Sequence, residues 1–162
     1  MTSDAVLIIA TGGTLDKCYN PLTGTLDVGE PVIVRTLAKA GITAEVSALL
    51  RKDSLEITDD EREQLARHIA GTSSSRILIT HGTDTMGASA ARIEALAPGK
   101  TVVLTGAMIP ASHQGSDADF NIGVAYAAAQ ILPPGVYIAM HGRVLPHAQY
   151  RKDTAQGRFV AG

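Results

Sequence analysis

The chain has 162 residues, 45% of them hydrophobic, 19% charged and 4% aromatic, with 16 glycines, one cysteine and no tryptophan. That length fits about one domain with a buried core, and the balance suits a globular α/β chain rather than a disordered one. A net charge of -2 with no basic patch argues against a nucleic-acid partner, and a single cysteine excludes an internal disulfide.

In chain order, Ala5 to Ala10 is a continuous apolar run of strand length, as expected of a strand covered on both faces. It is too short for a membrane span and has neither a basic flank nor a cleavage site, so the cytoplasm is the default location. Residues 12 to 30 are rich in Gly, Asn, Pro, Thr and Asp and read as a long irregular connection, the kind that serves as a lid or binding loop. Pro31 at a first helical position, with Val32, Ile33, Leu37 and Ala40 on one side and Gly41 behind, marks a first helix. Ile42 to Leu50 is strand-like. Thr58 with Glu61 three residues later forms a capping box for a helix whose apolar face is Leu65, Ala66 and Ile69 and which ends near Gly71.

Arg76 to Thr80 is the next buried strand, followed by Met86, Ala90, Ile93 and Leu96 at helical spacing until Pro98-Gly99. Thr101 to Thr105 is a further strand with the turn Gly106-Ala107-Met108-Ile109-Pro110 after it. Asp119 to Ile131 is an Ala-rich helix, Val136 to Met140 a fifth central strand, and Arg143 to Leu145 returns as a hairpin. The alternation predicts one α/β domain with a largely parallel open sheet and helices on both faces.

Two turns carry the chemistry, Ala10-Thr11-Gly12-Gly13-Thr14 and Thr80-His81-Gly82-Thr83-Asp84-Thr85, each after an apolar run. Loops at the carboxyl ends of strands are where open α/β sheets bind ligands, so both are expected to face one crevice. Amide hydrolysis needs a nucleophile, a proton acceptor and donors for the developing oxyanion. Thr14 is a candidate nucleophile, because two preceding glycines let its hydroxyl and nearby N–H groups approach a small ligand. A turn that merely redirects the chain is the competing reading, and phosphate binding a weaker one, since neither nucleotide-binding glycine spacing is present.

Thr83 and Asp84 set a hydroxyl beside a carboxylate at a strand-to-helix turn, although Thr and Asp there are also ordinary helix caps. Lys152 serves as a base only if desolvated, and otherwise reads as a surface lysine. Tyr19, five residues after Thr14, is near enough in sequence to fold over it. Cys18 is a weaker nucleophile candidate beside a bystander reading, and its thiol is compatible with a reducing compartment. The histidines at 68, 81, 113, 141 and 147 show no metal-binding spacing, so neither a metal nor a cofactor is expected.

Taken together, Ala10 to Thr14, Thr80 to Met86, Gly106 to Pro110 and Lys152 resemble the N-terminal domain of the bacterial-type L-asparaginases, in an order that spans nearly the whole chain. The resemblance implies a catalytic Thr14 assisted by Tyr19, and a second set formed by Thr83, Asp84 and Lys152. It also implies that Ser54 holds the substrate's α-carboxylate, that Asp84 faces its α-amino group, and that Gly13 and Ala107 line the substrate site. The implied reaction is hydrolysis of the side-chain amide of L-asparagine through an acyl-enzyme, with direct attack of water assisted by Thr83 and Lys152 as the other route. A homo-oligomer, dimer or tetramer, is implied as well.

Two departures from the family pattern stand out. Residues 1–162 correspond to the catalytic N-terminal domain alone, so the family's smaller C-terminal domain is expected to be absent, as in a short form. Leu55 stands where many relatives carry a polar substrate-binding residue. A non-catalytic sensor of aspartate or asparagine, and an amidase for a larger substrate, are the alternatives.

Overall fold

The structure is a computed structural model that describes residues 5–162. The buried apolar runs form the parallel strands β1 (Leu7–Gly12), β5 (Arg76–Thr80), β6 (Thr101–Thr105) and β7 (Gly135–Met140), and the partly exposed β4 (Val46–Lys52) joins them in parallel at the edge. A short β8 (Arg143–Pro146) returns antiparallel to β7 and completes a six-stranded sheet in the order β4-β1-β5-β6-β7-β8. A fully apolar strand has no solvent face, so each of its two sides needs a cover.

The helices α1 (Ile33–Lys39), α2 (Asp59–Gly71), α3 (Met86–Leu96) and α4 (Ala118–Ile131) supply it. Side-chain alternation along the strands divides the core in two. Ile9, Ile77, Ile79, Val102, Leu104 and Ile138 pack with Leu65, Ala66 and Ile69 of α2 and with Met86, Ala90 and Ile93 of α3. Ile8, Leu78, Val103 and Ala139 pack on the other face with Ile33 and Leu37 of α1 and with Ala118, Ile122 and Ala125 of α4. Helix α2 begins as its sequence requires: the Thr58 hydroxyl accepts from the Glu61 N–H, and the Glu61 carboxylate accepts from the Thr58 N–H.

Several elements differ from the sequence reading, the first strand among them, which runs from Leu7 to Gly12 rather than from Ala5 to Ala10. The first helix begins at Ile33 rather than at Pro31, and the second sheet strand runs from Val46 to Lys52 rather than from Ile42 to Leu50. Residues 12 to 30 are not irregular throughout. A short 3-10 turn (Thr14–Asp16) leads into a two-stranded hairpin, β2 (Lys17–Asn20) and β3 (Thr25–Val28). A second hairpin, β9 (Tyr150–Asp153) with β10 (Arg158–Ala161), has no counterpart in the sequence reading. Both are short, half-exposed pairs off the main sheet, held by cross-strand bonding that no single strand announces. Among the described residues no helix is long and apolar enough to cross a membrane.

The strand order places the site. Among the five parallel strands the spatial order is second, first, third, fourth, fifth, so the chain leaves β1 to one side and returns on the other to β5. Their carboxyl ends therefore flank a topological switch point, where a doubly wound sheet opens a crevice. Thr14 follows β1 and Thr83 follows β5.

Candidate active site

The two turns at this switch point interlock through glycine. Gly13 has φ 87°, a left-handed conformation that a side chain disfavours, and a Cβ built on it would stand 2.4 Å from both N and Cα of Gly82. Gly82 is equally crowded on its far side, since a Cβ there would lie 2.6 Å from Ser54 Cβ. Three segments distant in sequence thus meet with no room for one methyl group. The Gly13 N–H donates to the Lys52 carbonyl at 2.9 Å, which ties the first turn to the end of β4, the strand that leads to Ser54.

Ser54 is buried and wired to the second turn. Its Oγ accepts from the Thr85 N–H at 3.3 Å, and the Thr85 hydroxyl donates to the Ser54 carbonyl at 2.8 Å. Just before it, Asp53 accepts from the Leu55 N–H and forms a 2.7 Å ion pair with Lys17. Lys17 holds the Asp53 carboxyl below the usual carboxylate range, with the Leu55 N–H adding to the effect. Lys17 opens β2, three residues after Thr14, so the pair links the Thr14 turn to the Ser54 turn.

Lys152 is not a solvated surface lysine. Its side chain is 15% exposed, and its Nζ donates to Thr83 Oγ1 and to Asp84 Oδ1, each at 2.8 Å. Strand β9 produces this by alternation: Tyr150 and Lys152 share a face, and the Tyr150 ring sits in the core with its hydroxyl donating to the Met140 carbonyl at 2.7 Å. An ammonium held by a hydroxyl and a carboxylate is a charge-assisted cluster that can move a proton between the three groups. The cap reading of Asp84 fails here, since neither it nor Thr83 caps α3, whose N-cap is Thr85 with no side-chain cap bond. Thr83 is buried and Asp84 exposed. A hollow of about 240 Å³ lies beside the cluster, lined by Thr83, Asp84, Thr85, Tyr150 and Lys152 among others.

Behind Thr83, His81 is fully buried. One ring nitrogen, Nδ1, lies 2.7 Å from the Gly82 carbonyl and the other, Nε2, 2.8 Å from Ser89 Oγ. With Nδ1 as donor, the Ser89 hydroxyl donates to Nε2, and burial lowers the imidazole pKa from 6.5 to about 4. The ring is therefore a neutral brace under the Thr83 turn.

The remaining candidates are placed as follows. Thr14 is half-buried in the 3-10 turn after Gly13, next to Gly82 through that glycine, and does not line the hollow beside Thr83. Ala107 is buried after β6, where the Asp117 carboxylate accepts from the Met108 and Ile109 N–H groups and fixes the loop. Tyr19 is not brought to Thr14: it lies on β2 with 64% of its surface exposed. Cys18 is a free, exposed thiol on the same strand. Leu55 is 71% exposed beside Ser54. Among the described residues no three His, Cys, Asp or Glu side chains are grouped so as to hold a metal ion.

Sequence reasoning missed Asp16. It is 2% exposed, accepts from the Val32 N–H at 2.9 Å, and has its pKa raised from 3.8 to about 6 by burial. Nothing local distinguishes it from a loop aspartate. It also missed Lys17, Asp53 and Thr85, whose partners are 31 or more residues away.

Comparison with known proteins bears on the family and the fold. An L-asparaginase from Thermococcus kodakarensis is 28% identical over 149 residues, covering 86% of this chain and 45% of its own. The solved thermostable L-asparaginase of that organism superposes with a TM-score of 0.83 at 27% identity, covering 97% of this chain and 51% of its own. A glutamyl-tRNA(Gln) amidotransferase component from Methanococcus maripaludis strain C5 is 39% identical over 150 residues, covering 85% of this chain and 35% of its own. The chain thus spans about half the length, or less, of the relatives it matches. The family model described as Asparaginase, N-terminal, matches residues 5–159, and the chain belongs to the asparaginase family.

Proposed function

We propose that this chain carries the catalytic domain of an amidohydrolase that converts L-asparagine to L-aspartate and ammonia. The observation that carries the reading is the Lys152 ammonium held 2.8 Å from both Thr83 Oγ1 and Asp84 Oδ1, in a turn that packs against the Thr14 turn through Gly82 and Gly13.

In the proposed reaction the Thr14 hydroxyl adds to the carboxamide carbon, and backbone N–H groups near Gly13 and Thr83 hold the oxyanion. Breaking the C–N bond releases ammonia, which leaves with the Thr14 proton, and an ester on Thr14 remains. Water adds to that ester, gives its proton through the Thr83, Lys152 and Asp84 set to the departing Thr14 oxygen, and frees aspartate with the Thr14 hydroxyl restored. Ser54 binds the α-carboxylate and Asp84 the α-ammonium, with Gly13 and Ala107 shaping the walls. Tyr19 acts on Thr14 only after the β2-β3 hairpin folds inward, since the ring points into solvent otherwise.

A homo-oligomer, with a neighbouring copy completing the crevice, is part of this reading. A reducing, cytoplasmic setting suits the exposed thiol of Cys18.

Relatives named as components of a glutamyl-tRNA(Gln) amidotransferase favour a second reading, in which the freed ammonia is handed to an acceptor rather than released. Ammonia release by the purified chain from asparagine, glutamine and a peptide amide tests both. Turnover of asparagine well above glutamine supports the asparaginase. Turnover of glutamine or the peptide amide alone supports the second reading or a larger amide substrate. Binding of aspartate without any ammonia would leave a sensor and end the hydrolase reading.

A further inference from the structure

Strands β7 and β8 are joined by the two-residue turn His141-Gly142, with Met140 and Arg143 as the last pair of the ladder. Both turn residues have positive φ, 53° and 73°, which is the type I′ pattern. Asn or Gly is the residue that such a position favours at its first site, and a bulkier side chain is disfavoured there. His141 is the one non-glycine residue with positive φ among the described residues. Its imidazole has a partner that Asn would not reach: Nε2 accepts the Phe159 backbone N–H at 3.1 Å.

Phe159 is the direct cross-strand partner of Lys152 in the β9-β10 ladder. In an antiparallel pair, residues that do not exchange backbone bonds point their N–H groups outward, away from the partner strand. The Phe159 N–H points outward in this way and is taken by His141. The Phe159 ring lies 5.4 Å from the Tyr150 ring and 6.1 Å from the His141 ring. The hairpin that presents Lys152 is therefore held on one strand by the Tyr150 hydroxyl and on the other by the His141 imidazole.

We infer that His141 is a positioning residue for Lys152: it tolerates a disfavoured turn conformation because its Nε2 lone pair fixes β10, and through Phe159 the height of Lys152 over Thr83 and Asp84. The role in turnover rests on the hydrolase reading above, whereas the hold on the hairpin does not. His141→Asn suits the turn but lacks the reach to Phe159, while His141→Gln keeps an acceptor at about the Nε2 position.

Two readouts follow for each variant: steady-state ammonia release, and mass spectrometry of Phe159 amide exchange and of Lys152 acetylation by acetic anhydride. We expect H141N to keep its melting temperature, to lose about 10- to 100-fold in kcat with KM within about threefold, and to show faster Phe159 exchange and Lys152 labelling. H141Q recovers most of each. Unchanged exchange and labelling in H141N would overturn the inference, as would an H141Q that falls as far as H141N. If the wild-type chain releases no ammonia, the hydrolase reading fails while exchange and labelling still judge the hold of His141 on the hairpin.

Discussion

Gly13 and Gly82 touch backbone to backbone, and a methyl group on Gly13 would lie 2.4 Å from Gly82 N and Cα. No side chain separates the loop that follows β1 from the loop that follows β5. The separation of the Thr14 and Thr83 backbones is therefore constrained by main-chain contact.

The first prediction follows. Gly13→Ala meets a strained φ and a backbone clash together, and should destabilise the fold by roughly 2–4 kcal/mol in urea unfolding. Gly41→Ala is the control, because Gly41 also has positive φ, 73°, but nothing within 4 Å of the added Cβ. It should lose only about 1 kcal/mol. Equal losses at both sites would mean that the two turns are not in contact.

Thr14 and Thr83 should fail at different steps. Thr14→Ala removes a half-buried hydroxyl and should leave the melting temperature within a few degrees while reducing ammonia release by on the order of 10⁴-fold. Thr83→Val should instead slow deacylation, so that an aspartyl ester on Thr14 accumulates and is visible by intact mass. An active Thr14→Ala protein would remove Thr14 from the reaction and favour direct attack of water.

Lys152 and Asp84 should be strongly coupled in turnover and weakly coupled in stability. Asp84 is 37% exposed, so solvent screening limits the ion pair to below about 1 kcal/mol in unfolding. If the two move one proton as a unit, Lys152→Met, Asp84→Asn and the double variant should lose similar factors in kcat. Additive losses in kcat would show that they act separately.

The contrast between legible and hidden features is physical. The runs 76 to 80 and 101 to 105 are strands with the bounds read from sequence, because a strand buried on both faces declares itself by continuous apolarity. Thr58 and Glu61 declare the start of α2 because a capping box is completed within one turn. Lys152 gives no such signal: its hairpin is held by Tyr150 and Phe159 docking on Met140 and His141, and neither of its strands, Tyr150–Asp153 and Arg158–Ala161, alternates apolar with polar residues. Five residues of separation bring Tyr19 near Thr14 in sequence, yet a strand carries its side chains to alternate faces and leaves this one in solvent. The motif glycines are legible as turns, whereas the reason for Gly82 lies in Ser54, 28 positions earlier and invisible to local pattern.

Asp16 and His81 should oppose one another in the acid range. Burial raises Asp16 from 3.8 to about 6, so between these values the folded chain holds a proton that the unfolded chain has lost, and stability falls as pH rises. Burial lowers His81 from 6.5 to about 4, so there the unfolded chain holds the extra proton and stability falls as pH drops. The two slopes nearly cancel between about pH 4 and pH 6. Asp16→Asn keeps an acceptor for the Val32 N–H but cannot ionise. Its stability relative to the wild type should be near zero below about pH 4 and rise to as much as about 3 kcal/mol above about pH 6. The carboxylates with depressed pKa values, Asp27, Asp53, Glu61, Glu63 and Asp119, titrate alike in both proteins and drop out of that difference. Urea unfolding of both proteins across this range measures it, and a difference that stays constant with pH would mean that Asp16 is ionised in the fold at no penalty.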